Sequence, residues 1–276
     1  MDQSKPLTVI IPCRNERKNI RGCIESFVSF ADEILIADSL STDDTLAIAR
    51  EYPKVRVIER EYIFSGDFKN WAIPQAQNEW VLLLDADERV TKELAIEIQT
   101  ILLGEPEFDG YWIRRTNHFM GHRLHHGDAK TDRVIRLFKR DVSRYEGPSD
   151  HGEIHVSTGK VGVLKNPMIH YTVWDYDQYF KKFDRYTTLQ AQQWHETGRD
   201  TNYFSLLVRP VWRFFREYII HLGILDGKAG LQLSWLAAFY SFSKQARLWQ
   251  LNHGIPQSEM EPEEPEREIE ATEKAA

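Results

Sequence analysis

Cysteine is scarce: the 276 residues hold only Cys13 and Cys23. Two thiols in a chain of this length exclude a disulfide framework, and they form no Cys-x-x-Cys pair of the kind that binds zinc. Their scarcity fits a reducing cytoplasm. No apolar run reaches the roughly 18 residues a spanning helix needs, so none is expected. The polar start, Met1 to Thr8, leads straight into a strand, and no signal peptide is expected. No Gly-x-Gly-x-x-Gly follows an apolar strand, and no Gly-x4-Gly-Lys-[Ser/Thr] occurs, which excludes a dinucleotide fingerprint and a P-loop. A basic excess is also missing. Net charge is -7, but residues 257–276 carry eight Glu against Arg267 and Lys274, leaving the body at -1. That tail, 255–276 with its Pro-rich start, reads as disordered. No nucleic-acid partner is expected.

What the chain does have is alternation. Leu7 to Pro12, Glu33 to Asp38, Val55 to Ile58 and Trp80 to Leu84 read as strands. Helices are expected between them, from Asn15 to about Phe30, from Thr45 to Tyr52 and from Phe68 to Ala76. A β-α-β-α-β-α-β order implies a mainly parallel sheet with right-handed crossovers. A further helix is expected over 91–103, then strands over Gly110–Thr116 and Arg133–Phe138. Arg133 and Arg136 could face a diphosphate, although the strand surface is the commoner place for such arginines. From Asp177 to Leu251 the pattern is helical, aromatic and basic. Over Tyr203 to Leu251, where six Lys or Arg face two acids, such helices suit a membrane interface or a second subunit. The organisation expected is a catalytic domain over 1–175, a helical extension over 176–254 and the acidic tail.

The chemistry concentrates where Trp80-Val81-Leu82-Leu83-Leu84 runs into Asp85-Ala86-Asp87-Glu88. Carboxylates spaced i, i+2 at the carboxyl end of a buried strand lie where open α/β sheets bind ligands. Hard oxygen donors there suit Mg2+ or Mn2+ and, through the ion, a diphosphate. The first two strands end in Pro12-Cys13-Arg14-Asn15-Glu16 and in Asp38-Ser39-Leu40-Ser41-Thr42-Asp43. These groups could meet a base and ribose, and Asn15 and Asp43 could equally cap helices. His118, His122, His125 and His126 match no metal spacing and read as a lid or acceptor loop.

Taken together, Val9-Ile10-Ile11-Pro12 with Asn15-Glu16, the Asp38 to Asp43 turn, Lys69-Asn70 and Leu84-Asp85-Ala86-Asp87-Glu88 resemble family 2 glycosyltransferases of the GT-A fold. The resemblance runs over residues 7 to about 175. Arg136-Leu137-Phe138, His170-Tyr171 and Gly223-x-Leu225-Asp226-Gly227-x-x-Gly230 look like the subgroup that modifies the lipopolysaccharide inner core. It implies inverting transfer from a nucleotide-sugar, commonly a UDP-sugar, to a glycan or glycolipid at the inner face of the membrane. Pro12, Asn15, Glu16, Asp38, Lys69 and Asp85 would bind the nucleotide. Asp87, Asp85 and His170 would hold a divalent cation. Glu153 or Asp150 would be the general base, although Gly152 separates Glu153 from His151 where the family has His-Glu adjacent. The alternatives are a non-catalytic nucleotide-sugar-binding or membrane-associated module, or a phosphatase whose nucleophile strand ends Asp-x-Asp. Arg89 and three preceding strands speak against the phosphatase.

Overall fold

The computed structural model describes residues 4–127, 132–146 and 152–256. The tail beyond 256, and with it the expected disorder, lies outside the described residues. So does the candidate base Asp150. The elements, in chain order, are β1 (Leu7–Cys13), α1 (Ile20–Glu25), β2 (Glu33–Asp38), α2 (Thr45–Ala49), β3 (Val55–Glu59), α3 (Ser65–Ala72), β4 (Trp80–Leu83), β5 (Glu88–Arg89), α4 (Lys92–Leu103) and β6 (Gly110–Phe119). Next come β7 (His122–Arg123), β8 (Arg133–Lys139), β9 (Ser143–Tyr145), β10 (Ile154–Val156), β11 (Val161–Val163), β12 (Met168–Val173), α5 (Tyr176–Glu196), α6 (Arg209–Phe215) and α7 (Gly227–His253). The chain divides into two compact units, residues 1–179 with 216–233 and residues 180–215 with 234–276.

The first unit holds the sheet. Its order is β3-β2-β1-β4-β8-β6-β12-β5, with β11 and β7 added to β6. The β3-β2-β1-β4 half is parallel, as the alternating pattern implies, and β8 joins it antiparallel to both β4 and β6. The architecture is therefore mixed but mostly parallel. All six residues of β2 and all four of β4 are buried. Such strands are covered on both faces, and the period of two sorts them. Val9, Ile11, Ile34, Ile36 and Leu82 meet Ile24 of α1, Phe27 just beyond it, and Leu94 and Ile98 of α4. Ile10, Leu35, Ala37, Val81 and Leu83 meet Phe68 and Ile73 on the other side. Each such side chain stabilises the fold by roughly 1.5–3 kcal/mol.

Several helices are shorter than the sequence pattern suggests. The helix expected to reach Phe30 ends at Glu25, where the Ser26 hydroxyl donates back to the Cys23 carbonyl at 2.7 Å and turns follow. Helix α2 stops at Ala49 rather than Tyr52, because Tyr52 precedes Pro53 and is biased away from helical backbone. The helix expected over 68–76 begins at Ser65 and tightens to a 3-10 turn at Ile73–Gln75, around Pro74. Among the described residues no helix is long and apolar enough to cross a membrane.

The Gly223-x-Leu225-Asp226-Gly227-x-x-Gly230 run has a steric meaning. Leu222 and Gly227 take left-handed φ values of 61° and 59°. A Cβ on Gly230 would lie 1.8 Å from the Gly223 carbonyl oxygen, so the turn and the start of α7 can approach only with glycine there. Gly230→Ala is expected to lower stability by about 3 kcal/mol, the scale of overpacking against backbone. A chemical denaturation curve indistinguishable from wild type would refute that.

Candidate active site

The site is built where β4 stops. Strand β4 emerges from the core and delivers Asp85, and the chain turns at once into β5. The third acid closes this turn: the Asp85 backbone N–H donates to Glu88 Oε2 at 3.0 Å, and the Glu88 N–H donates to the Asp85 carbonyl at 2.8 Å. Glu88 is fully buried, so its charge needs a partner. That partner is Arg136, from the middle of β8. Its Nη2 donates to Glu88 Oε1 at 2.7 Å and also to Asp85 Oδ2. Lys69 of α3 takes the other oxygen of Asp85, Nζ to Oδ1 at 2.9 Å, and lies 5.3 Å from the centre of the Tyr145 ring.

Arg136 corrects an expectation. It does not lie on the strand surface but is 3% exposed. A charged residue inside Ile135-Arg136-Leu137-Phe138 was the available signal, because an apolar run on a central strand has no solvent face. The electrostatics follow from burial. Burial opposes the charge on Arg136, yet Asp85 and Glu88 outweigh it and hold the guanidinium well above its ordinary pKa. Burial would likewise raise the Asp85 carboxyl, but Arg136 and Lys69 hold it far below the usual carboxylate range.

From Glu88 the polar chain continues across the sheet. Arg115 of β6 lies 3.6 Å from Glu88 and grips Asp132 with two bonds, of 2.9 and 2.6 Å. Asn117 donates to Asp132 at 2.8 Å, and its Oδ1 lies 2.6 Å from His170 Nδ1. Strand register sets this up, since His170 of β12 lies opposite Asn117 on one side and Glu88 on the other. The His170 Nε2 stands 3.7 Å from Asp87 Oδ2. Arg115, Asn117, Asp132 and Tyr145 carried no local signal, because strand pairing alone assembles them.

The structure brings some expected site residues together and keeps others apart. Lys69, Asp85 and Glu153 line one cleft of about 270 Å³, with Arg115, Arg136 and Tyr145. Asp87 and His170 form the neighbouring pair. Pro12 and Asp38, at the ends of β1 and β2, and Asn15 and Glu16, in the turn after β1, lie beside this, where the two following turns interlock. Asn15 has a left-handed φ of 56°, its N–H donates to Ser41 Oγ at 2.9 Å, and its Oδ1 accepts from the Thr42 N–H at 2.7 Å. The Glu16 N–H donates to Thr45 Oγ1 at 2.7 Å. Asp38 is fully buried and accepts from the Ser41 N–H and hydroxyl at 2.7 and 2.5 Å. Asp43 accepts from the Thr45 N–H at 3.0 Å. Of the histidines, His118 and His122 sit on β6 and β7, while the His125 and His126 N–H groups donate to the Asp226 carboxylate at 3.1 and 3.0 Å. Among the described residues no group of three or more His, Cys, Asp or Glu is disposed to hold a metal.

A profile described as "Glycosyl transferase family 2" matches residues 8–165, more than half of the chain, from β1 through β11. The chain belongs to glycosyltransferase family 2. A lipopolysaccharide core biosynthesis glycosyltransferase, LpsC, from Rhizobium meliloti is 29% identical over 250 residues, 89% of this chain and 92% of that protein. An uncharacterized glycosyltransferase from Rickettsia felis is 27% identical over 253 residues, 88% of this chain and 89% of its own. In architecture the chain resembles the mannosyltransferase PcManGT from Pyrobaculum calidifontis, solved with GDP-Man and Mn2+. The TM-score is 0.52 at 16% identity, covering 89% of this chain and 87% of that one. This likeness identifies the fold as GT-A. The family 2 enzyme is a glycosyltransferase, and the phosphatase alternative falls away.

Arg136→Met is expected to cost about 3–5 kcal/mol, because it strands buried Glu88 without its cation. The sign of the pH effect follows from Asp85. Its folded pKa is depressed, so its contribution is present above the unfolded value of roughly 4 and is lost as pH falls toward the folded one. Wild-type stability should therefore drop more steeply than that of Arg136→Met on acidification below about pH 5. Parallel acid-unfolding curves would contradict the assignment.

Proposed function

We propose that this enzyme transfers a sugar from a nucleotide-sugar, with UDP as the leading nucleotide, to a glycan or glycolipid acceptor of the lipopolysaccharide-core kind, with inversion. The observation that carries the reading is the shared cleft, in which Glu153 lines the same walls as Asp85, Lys69 and Arg136. A carboxylate opposite a cationic, diphosphate-suited wall is what a single displacement needs. The acceptor oxygen attacks the anomeric carbon, the bond from that carbon to the β-phosphate oxygen breaks, and its electron pair leaves with the diphosphate. The acceptor proton goes to Glu153. Arg115, Arg133 and Lys69 supply positive charge on the donor side. The turns holding Pro12, Asn15, Glu16 and Asp38 would receive the nucleoside. The acceptor class is supported by the Rhizobium relative, whose own role is in lipopolysaccharide core synthesis.

A divalent cation fits Asp87 and His170 as a pair, a carboxylate oxygen and an imidazole nitrogen facing each other at 3.7 Å. Both oxygens of Asp85 already meet Lys69 and Arg136, so Asp85 would join only by releasing one of them. Two protein ligands, completed by diphosphate and water, suit Mg2+ or Mn2+. When bound, the ion would supply electrostatic stabilisation of the departing diphosphate. Calorimetry with UDP and with GDP, in Mn2+ and in chelator, tests this. Asp87→Ala should abolish the metal-dependent part of nucleotide binding. Glu153→Gln should keep that binding and slow transfer by roughly 100-fold. Nucleotide affinity insensitive to chelator would sink the cation; full turnover of Glu153→Gln would sink the base.

A lipid-linked acceptor calls for a surface that meets lipid. Tyr203, Phe204, Leu207, Trp212 and Phe215 are all at least half exposed, in a stretch from 203 to 216 with three Arg and no acid. Phe214 turns inward instead, its ring 4.5 Å from that of Trp235. An exposed aromatic face with arginines suits the interface of an anionic bilayer. In co-sedimentation, the enzyme should bind vesicles containing phosphatidylglycerol and not neutral phosphatidylcholine ones, and Trp212→Ser with Arg213→Glu should weaken binding at least 10-fold. Binding that ignores the double substitution would remove this surface from the role.

A further inference from the structure

We propose that Asn117 is a positioning residue: it fixes His170 as the tautomer protonated on Nδ1 and so turns a bare Nε2 toward Asp87. The inference rests on the reading of Asp87 and His170 as the cation pair, and it assigns the groups that prepare that pair.

Hydrogen-bond polarity sets the tautomer. Arg115 holds Asp132 by two charge-assisted bonds, of 2.9 and 2.6 Å, so this carboxylate is ionised and can only accept. The end of the Asn117 amide facing Asp132 at 2.8 Å must therefore be its NH2 group. The opposite end, 2.6 Å from His170 Nδ1, must be the carbonyl, which also only accepts. The proton between them belongs to His170 Nδ1. In a neutral imidazole, which nitrogen is bare follows from the bond the other one makes. Nε2 is then a lone pair aimed toward Asp87. At 3.7 Å, Nε2 makes no hydrogen bond to Asp87.

Burial makes the arrangement firm. Asn117 is 7% exposed, so the amide cannot exchange its partners for water. Strand register holds it opposite His170, and Asp132 is kept in place by Arg115, which also reaches Glu88. The orientation of a metal-binding imidazole is thus determined four groups away, by the same buried acid that closes the Asp85–Glu88 turn. Removing such a supporting partner typically lowers metal affinity by roughly 10–100-fold.

The test reads the proton directly. Long-range proton–nitrogen correlation spectra are recorded on the full chain with 15N-labelled histidine, metal-free at pH 8, with His170→Gln to assign the signal. Wild type should show a protonated Nδ1 and an unprotonated Nε2 for His170. Asn117→Leu should move the proton to Nε2 or average the two, whereas Asn117→Asp, sharing one proton with Asp132 and still accepting from Nδ1–H, should keep the wild-type pattern. Calorimetric affinity for Mn2+ in the presence of UDP should fall 10–100-fold in Asn117→Leu and less in Asn117→Asp. A protonated Nε2 in wild type overturns the proposal, and that spectrum decides even if a variant fails to fold. An unchanged tautomer in folded Asn117→Leu overturns it too. If the tautomers behave as expected but wild type binds no Mn2+, the positioning role stands and the cation reading falls.

Discussion

One buried charge orders the catalytic half of this molecule. Glu88 has no access to water, and a carboxylate in that setting is tolerable only with a cation and a full set of donors. Arg136 supplies the cation from β8, and the Asp85 N–H supplies a donor from within the turn. Because β8 runs antiparallel to β4, the same arginine reaches Asp85 at the strand end. The Asp-Ala-Asp-Glu turn is therefore not a flexible acidic loop. It is held at both ends of its backbone and by its first and last side chains, which leaves Asp87 to face His170.

The two halves of the site are built by different means. In the turns after β1 and β2, backbone geometry dominates. Asn15 and Leu40 both hold left-handed φ values, uncommon for residues with a Cβ, and bonds between the two turns support them. On the other side, side chains from β5, β6, β8 and α3 meet Asp85 and Asp132 at the strand ends, and the order is electrostatic. Lys69, Asp85, Arg136, Glu88, Arg115 and Asp132 alternate in sign through the cleft wall. Networks of this kind are worth more together than pair by pair. Loss of one member exposes its neighbours as unpaired buried charges.

Much of the fold was readable because the signals are local. Apolar runs at Leu7, Glu33 and Trp80 become strands buried on both faces, and the periodic residues between them become crossover helices. Helix ends were less legible: Ser26 and Pro53 shorten α1 and α2 by effects a periodicity count ignores. In the site, Asp85, Asp87 and Lys69 were visible as a motif, and Glu153 lines the expected cleft. Arg136 reads by pattern as a surface residue, because strand arginines usually reach water, yet it is buried. Asn117 and Asp132 were not seen at all.

The amino-acid order by itself determined the strand–helix alternation, the acids at the end of β4 and the family likeness, since each depends on residues close in the chain. It also set the glycines of the 223–230 turn, whose backbone approach only a missing Cβ allows. Tertiary structure alone decided which of three neighbouring acids is buried, which arginine answers it and which nitrogen of His170 meets Asp87. Those outcomes depend on strand register and desolvation, and both arise only when segments about 50 to 80 residues apart are brought side by side.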